Sequence, residues 1–376
     1  MKLQDLTELC TKYSDGIDAV AVIPPVDLSS PLRHTLRTLS AGYIPESYRW
    51  TPEKTAFAYS YKSYGTWVKS IILAAKYYFT DETFCDDPGR GRIARFSWRN
   101  NYGYLKMRLT ALIDSLQAYT GKRIQSRVLS NYTSIPEKAL FNFSRLGSIG
   151  KNCVVVSRNI GSFFVMGEAV TDIEVSDFQT PELRHPDFSI CGSCRACIDT
   201  CPTGAIIADG VVDVNRCFQY MSENLMSVPR DLRAQWGNRL YGCSSCIDIC
   251  PFNSSLEPNA EKHSVGYVGQ DITIIDLLGM SDAQWQARFR NNQIGIRRRQ
   301  AIEKNAVLAL GCLEYKKAEA ILEEFLSHEH PVLRISAAWA LGRLRTKSAL
   351  KSLEKKYREE PDRSVLKELE LSIQGI

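Results

Sequence analysis

Histidine is scarce in this chain: five in 376 residues, at His34, His185, His263, His328 and His330, with none between positions 35 and 184. Imidazole is the side chain that titrates near neutrality and the commonest metal ligand. The N-terminal part therefore has no imidazole acid, base or metal ligand after its first turns. The chain also lacks a G-x-G-x-x-G fingerprint, a P-loop and a G-x-S-x-G elbow, which argues against a dinucleotide cradle, a phosphate-binding loop or a serine nucleophile of those types. Redox chemistry here would have to be carried by an organic cofactor held by shape and hydrogen bonds, with flavin and cobalamin as candidates. The opening MKLQDLTELC has no basic region followed by an apolar core. The longest apolar stretches, such as 70–79, are about half of the roughly 20 residues that a spanning helix needs. A cytoplasmic protein is expected. The net charge of +5 permits an anionic partner without requiring one.

Cysteine, in contrast, is abundant: twelve in all, eight of them between 191 and 250. Cys10, Cys85, Cys153 and Cys312 are scattered and read as buried small hydrophobes. The run CGSCRACIDTCPTGA places Cys191, Cys194, Cys197 and Cys201 in the pattern C-x2-C-x2-C-x3-C-P, whose fourth cysteine ligates the other cluster in two-cluster ferredoxins. A second run, YGCSSCIDICPFN, supplies Cys243, Cys246 and Cys250 before Pro251 and lacks the first position. Cys217, in NRCFQY, is the one unassigned cysteine between the runs and fills the gap. The expected wiring is Cys191, Cys194, Cys197 and Cys250 for one [4Fe-4S] cluster, and Cys201, Cys217, Cys243 and Cys246 for the other. Zinc has no use for the doubled C-x3-C-P ending. Two clusters in series make a one-electron wire.

Four segments are expected. Residues 1–178 alternate helix-like and strand-like stretches, an α/β or α+β domain. IDAVAVIP (17–24), IQSRVLS (124–130) and NCVVVSRN (152–159) read as strands. YLKMRLTALIDSLQAY places Leu105, Leu109, Leu112, Ile113 and Leu116 at helical spacing. In NYTSIPEKALFNFSRLG, Ser134 and Glu137 form a capping box with Pro136 in the first turn, and Gly147 is placed to end the helix. Residues 179–260 are a ferredoxin-like domain and 261–290 a linker. In 291–376, NAVLALGCL and SAAWALGRL are self-similar, and Pro331 and Pro361 each open a helical pattern. These are expected to be HEAT-like repeats that pack on the rest of the protein. Arg297 to Arg299 and the helix SALKSLEKKYRE could offer a basic face to an anion. DDPGRGRIARFSWR (86–99) reads as a mobile basic loop able to meet phosphate.

The double cluster with DVNRCFQY, together with GNRLYGCSSCIDICP, GSFFVMGE and AAWALGRL, resembles the epoxyqueuosine reductase family from about residue 90 onward. The resemblance implies a cobalamin- and iron-sulfur-dependent enzyme acting on tRNA in queuosine synthesis. Its N-terminal α/β domain would be related to flavin nitroreductases and bind cobalamin without a protein ligand to cobalt. A HEAT-like end would help grip tRNA, and a flavodoxin- or ferredoxin-like donor would feed the clusters. Lys151, Asn152, Gly161, Ser162 and Glu168 would line the corrin. The family's proton-donor aspartate falls on Asn131 in this chain, and a family D-Y-H segment on Asn101, Tyr102 and Gly103. A carboxamide cannot deliver a proton as a carboxylic acid does. Three readings follow: Tyr132 or Tyr102 donates instead; the chain reduces another substrate, such as a corrinoid bound to a partner; or it is a non-catalytic electron-transfer paralogue.

Overall fold

The computed structural model describes residues 1–375 except 86, 88, 132–134, 179–187 and 260–261. The chain forms two compact units, each discontinuous in sequence. The first comprises Met1–Asp81, Asn100–Asn215 and Ser245–Val265; the second comprises Glu82–Arg99, Arg216–Ser244 and Gly266–Ile376.

The first unit is built on a four-stranded sheet in the order Ala19–Ile23, Ser70–Tyr77, Phe164–Thr171, Ser126–Leu129. Every pairing in it is antiparallel. The central strand Ser70–Tyr77 is buried along its whole length, which is why SIILAAKY reads as a nearly continuous apolar run rather than an alternating one. On one face lies the helix Asn101–Thr120, which buries the five expected residues Leu105, Leu109, Leu112, Ile113 and Leu116. Asn100 caps it by accepting from the Gly103 amide, and Gly121 ends it in the left-handed conformation. On the other face Leu73, Leu129 and Val170 pack with Leu140, Phe141 and Phe143 of the helix Glu137–Ser144. That helix departs from the sequence reading at both ends. Pro136 is its N-cap rather than part of its first turn, and Arg145, not Gly147, takes the left-handed position after it. Ser134 lies outside the described residues.

The second unit centres on a three-stranded sheet, Arg239–Tyr241, Arg90–Ile93, Asp271–Thr273. The segment 86–99, expected to be a mobile basic loop, is instead held by this sheet from residue 90. Arg90 is the middle strand's first residue and pairs with Asp271, Arg99 pairs with Glu82, and Trp98 is buried. The segment 261–290 is not a plain linker either. It contributes the strand Asp271–Thr273 and the helices Ile274–Leu278 and Asp282–Phe289, which bury Leu277, Trp285 and Phe289. Apolar side chains of this size stay in water only at a cost of about 1.5–3 kcal/mol each, so a stretch carrying them is drawn into a core.

The helices Arg299–Cys312, Glu319–Phe325, Pro331–Leu344, Lys347–Glu359 and Arg363–Gln374 complete this unit. The self-similar motifs mark two of them, and the glycine they share has a packing reason. A Cβ on Gly311 would lie 2.7 Å from Trp339 and 2.8 Å from the Ala340 backbone; one on Gly342 would lie 3.0 Å from Ser372. Each glycine lets one helix approach the next.

Candidate functional site

A cavity of about 830 Å³ opens within the first unit. Its walls come from three stretches: the helix Ser29–Ser40 with residues 44–59, Asn131 with residues 135–153, and residues 188 and 210–214. Ile44, Phe57, Ala58, Ile135, Ile149 and Val212 supply the apolar surface, and Arg49, Glu53, Lys54, Glu137 and Lys138 supply charge. Tyr48, Trp50 and Phe57 are exposed despite their size.

Three polar side chains inside the cavity, those of His34, Thr35 and Tyr59, are held by neighbours. Thr35 and Tyr59 share a hydrogen bond of 2.8 Å, and burial raises the Tyr59 phenol above its ordinary value despite that bond. His34 Nε2 lies 2.8 Å from the Gly210 carbonyl; a carbonyl only accepts, so this nitrogen carries the hydrogen. The Thr55 hydroxyl is buried with no hydrogen-bond partner among the described residues. Cys153 also lines the cavity, at φ 61°, and burial pushes its thiol up.

Asn131 stands on this wall, exposed and at φ 53°. Asparagine and aspartate are the residues that adopt this left-handed backbone most readily. Tyr132 lies outside the described residues. Tyr102 is half-buried in the first turn of the helix Asn101–Thr120 and does not line the cavity. Its neighbour Asn101 is buried and bonds His263 Nε2 at 2.9 Å, with the His263 ring stacked 4.0 Å from that of Tyr104.

Lys151, Asn152, Gly161, Ser162 and Glu168 do not line this cavity. Lys151 pairs with Asp209 at 3.2 Å, and its carbonyl accepts from the Gly210 amide. The Asn152 side chain donates to the carbonyl of Cys246 at 3.1 Å and accepts from the Val154 amide. The Ser162 amide donates to Asn253 Oδ1 at 2.8 Å, and Asn253 Nδ2 donates to the Ser162 hydroxyl at 2.9 Å. Gly161, at φ 59°, is required by that contact, since a Cβ would run into Asn253 and Leu256. Glu168 is fully buried in the strand Phe164–Thr171, and its carboxyl is pushed up to about 9, first by burial and then by the carboxyl of Glu137.

Sequence reasoning misses His34, Thr55 and Tyr59, which carry no motif. Glu137 reads there only as half of a capping box, although a carboxylate six residues from Asn131 is a visible signal.

Cys191, Cys194, Cys197 and Cys250 come together in the first unit. Burial and then the neighbouring Cys191 and Cys194 raise the Cys197 thiol, and Cys250 is raised by burial and by the same two neighbours. Cys201, also in this unit, is lowered: burial opposes, but bonds from the Thr203 amide and hydroxyl and the Ala205 and Ile206 amides win. In the second unit the Cys243 amide donates to Gln219. Among the described residues no three His, Cys, Asp or Glu side chains converge on a single metal ion. Of the scattered cysteines Cys10 is buried as expected and Cys312 half-buried, but Cys85 is exposed; its amide is tied to Asp271 while its side chain faces water.

Residues 190–253 match a 4Fe-4S double cluster binding domain, and residues 297–374 match HEAT repeats. The chain is thus an iron-sulfur protein with two cluster motifs, a sheet domain and a helical-repeat end. It is 29% identical over 293 residues to epoxyqueuosine reductase of Bacillus subtilis, covering 76% of this chain and 73% of that one. It superposes on a crystal structure of epoxyqueuosine reductase with an epoxyqueuosine-modified tRNA-Tyr stem loop at a TM-score of 0.87 and 25% identity, over 100% of this chain and 99% of that one. A Bacillus subtilis structure whose catalytic aspartate loop is swung out of the active site gives 0.85 and 26%, over 100% of both chains. The chain belongs to the epoxyqueuosine reductase family.

Proposed function

We propose that this chain is a cytoplasmic, cobalamin- and iron-sulfur-dependent reductase that converts epoxyqueuosine to queuosine in tRNA. The observation that carries this is the cavity wall formed by Asn131 and residues 135–153. It lines the cavity at Asn131 and Glu137 and bonds the backbone of a cluster cysteine through Asn152. Electrons arriving at the clusters would then be close to the substrate cavity. We assign Cys191, Cys194, Cys197 and Cys250 to one cluster and Cys201, Cys217, Cys243 and Cys246 to the other. The donor would be a flavodoxin- or ferredoxin-like protein.

The cavity suits a corrinoid. Phe57, Ala58, Ile135 and Ile149 would lie against the macrocycle, and the unbonded Thr55 hydroxyl and the charged rim would meet its amide side chains. When bound, the corrinoid would supply a cobalt centre able to deliver two electrons. For tRNA, Lys347, Lys351, Lys355 and Arg358 are exposed at spacings of four, four and three residues on one helix, which puts them on one face. Arg297 and Arg299 are occupied by Glu223, Asp282 and Glu303.

Titrating the cluster-loaded protein with cobalamin tests the reading. A saturable change in the corrin spectrum is expected, and its absence would remove cobalamin from the proposal. Asn131 favours a second reading, a reductase of another substrate or of a partner-bound corrinoid. Conversion of epoxyqueuosine in tRNA by the wild-type protein decides between the two.

A further inference from the structure

The deoxygenation of an epoxide consumes two electrons and two protons: one C–O bond breaks as oxygen takes the first proton, the second breaks as water leaves, and a C=C bond remains. The proposed function names the source of the electrons, a low-potential one-electron donor acting through the clusters, but Asn131 cannot supply a proton. A carboxyl in the same wall, Glu137, can, with the buried Glu168 beside it.

Glu168 sits in the middle of the sheet, opposite Leu73 and Leu129, on the face covered by the helix Glu137–Ser144. It is fully buried, and neither carboxyl oxygen receives a hydrogen bond from a donor among the described residues. The group that meets it is the carboxyl of Glu137. Two ionised carboxylates repel, whereas a pair holding one proton is joined by a strong O–H···O bond, so this contact is satisfied only when the pair is singly protonated. The other charged or titratable groups near Glu168 are Arg127 on the adjacent strand and Tyr64, which itself lies close to Asp27. Arg127 steadies the one negative charge of the pair. Glu137 is half-buried and lines the cavity that Asn131 also lines.

We propose that Glu137 and Glu168 share one proton and that Glu137 delivers it to the epoxide oxygen, taking the part that Asn131 cannot play. Glu137 is the proton donor; Glu168 is a positioning residue that keeps the proton on the pair at neutral pH. The proton given up is restored from solvent through Glu137, which then supplies the second proton as water leaves. This inference rests on the epoxide-reductase reading for its substrate, and for the shared proton on the burial of Glu168, its unpartnered oxygens and its place under the helix that begins with Glu137.

Two measurements test it. Infrared spectra of the cluster-loaded, corrinoid-free protein at neutral pH should show the carbonyl band of a buried, protonated carboxylic acid. That band should vanish in E168Q and be altered in E137Q. If the wild type lacks the band, or both variants keep it unchanged, the shared proton is refuted whatever the substrate proves to be. In turnover of epoxyqueuosine-containing tRNA, E137Q should lower kcat ~100-fold to 10,000-fold with KM little changed. E168Q should move the alkaline limb of the pH profile downward, because the buried carboxyl that holds the proton beside Glu137 is gone. N131D placed in the E137Q background should restore activity. A kcat unaffected by E137Q overturns the donor assignment. Inactivity of the wild type, with the infrared band present, would instead remove the substrate reading and leave the proton pair standing.

Discussion

At the scale of single residues, the buried carboxyl of Glu168 should govern how stability responds to pH. Its value is raised to about 9 in the folded protein, against an ordinary 4.5. Between those values the folded chain holds a proton that the unfolded chain has released, so stability must fall as pH rises through this window. Glutamine does not titrate. E168Q is therefore expected to flatten the decline, seen as urea midpoints that vary less than the wild type's from mildly acidic to alkaline pH. Of the residues at this scale, the cysteines are readable because cluster chemistry fixes both their type and their spacing. Thr55, Tyr59 and His34 are not, because their meeting around one cavity depends on how helices separated in sequence pack, and no local pattern records that. Lys151, Asn152, Ser162 and Glu168 stand out through their motifs, and none of the four is among the residues that line this cavity.

At the scale of elements, amphipathic spacing is a reliable guide where it is long. The helix Asn101–Thr120 buries all five expected residues, and the strands near 17–24 and 124–130 are present. Short elements mislead when their partners are distant: GRGRI looks like a loop by its glycines and arginines, yet it is the middle strand of a sheet whose edges come from residues 239–241 and 271–273. The last helix, Arg363–Gln374, is tied down by a charge cluster that no periodicity reveals. Glu368, nearly buried, bridges Arg233 at 2.9 Å and also contacts Arg230. Removing it leaves the buried Arg233 guanidinium without its counter-ion. Glu368→Ala is expected to lower stability by about 3 kcal/mol, read from denaturant unfolding, since breaking one side of a buried pair costs roughly 3–5 kcal/mol.

At the scale of the whole molecule, the order of segments along the chain is not the order of compact units. The stretch 179–260 was expected as one ferredoxin-like domain; residues up to Asn215 and from Ser245 belong to the first unit, and Arg216–Ser244 belongs to the second. Sequence could identify both cysteine runs and both repeats but not this interleaving, which arises from long-range pairing such as that of Arg90–Ile93 with Arg239–Tyr241. The basic face of the helix Lys347–Glu359 bears on tRNA at the same scale. Lys351→Glu and Lys355→Glu should each weaken tRNA binding and reduce the slope of log affinity against log salt by ~0.7 to 0.9 for every phosphate that is no longer neutralised. Binding isotherms over a salt series would show it, and an unchanged slope would remove this helix from the interface.

The left-handed backbone at Asn131 bears on how such a chain can change over time. Aspartate and asparagine differ there by one terminal group and tolerate that backbone about equally, so exchanging them leaves the loop's conformation intact. A lineage could cross between the two in either direction by a single base change without passing through an unfolded ancestor. If the neighbouring carboxyl pair already furnishes the proton, the acid at 131 becomes dispensable before it disappears. The fold would then preserve a vacancy to which the original chemistry can return.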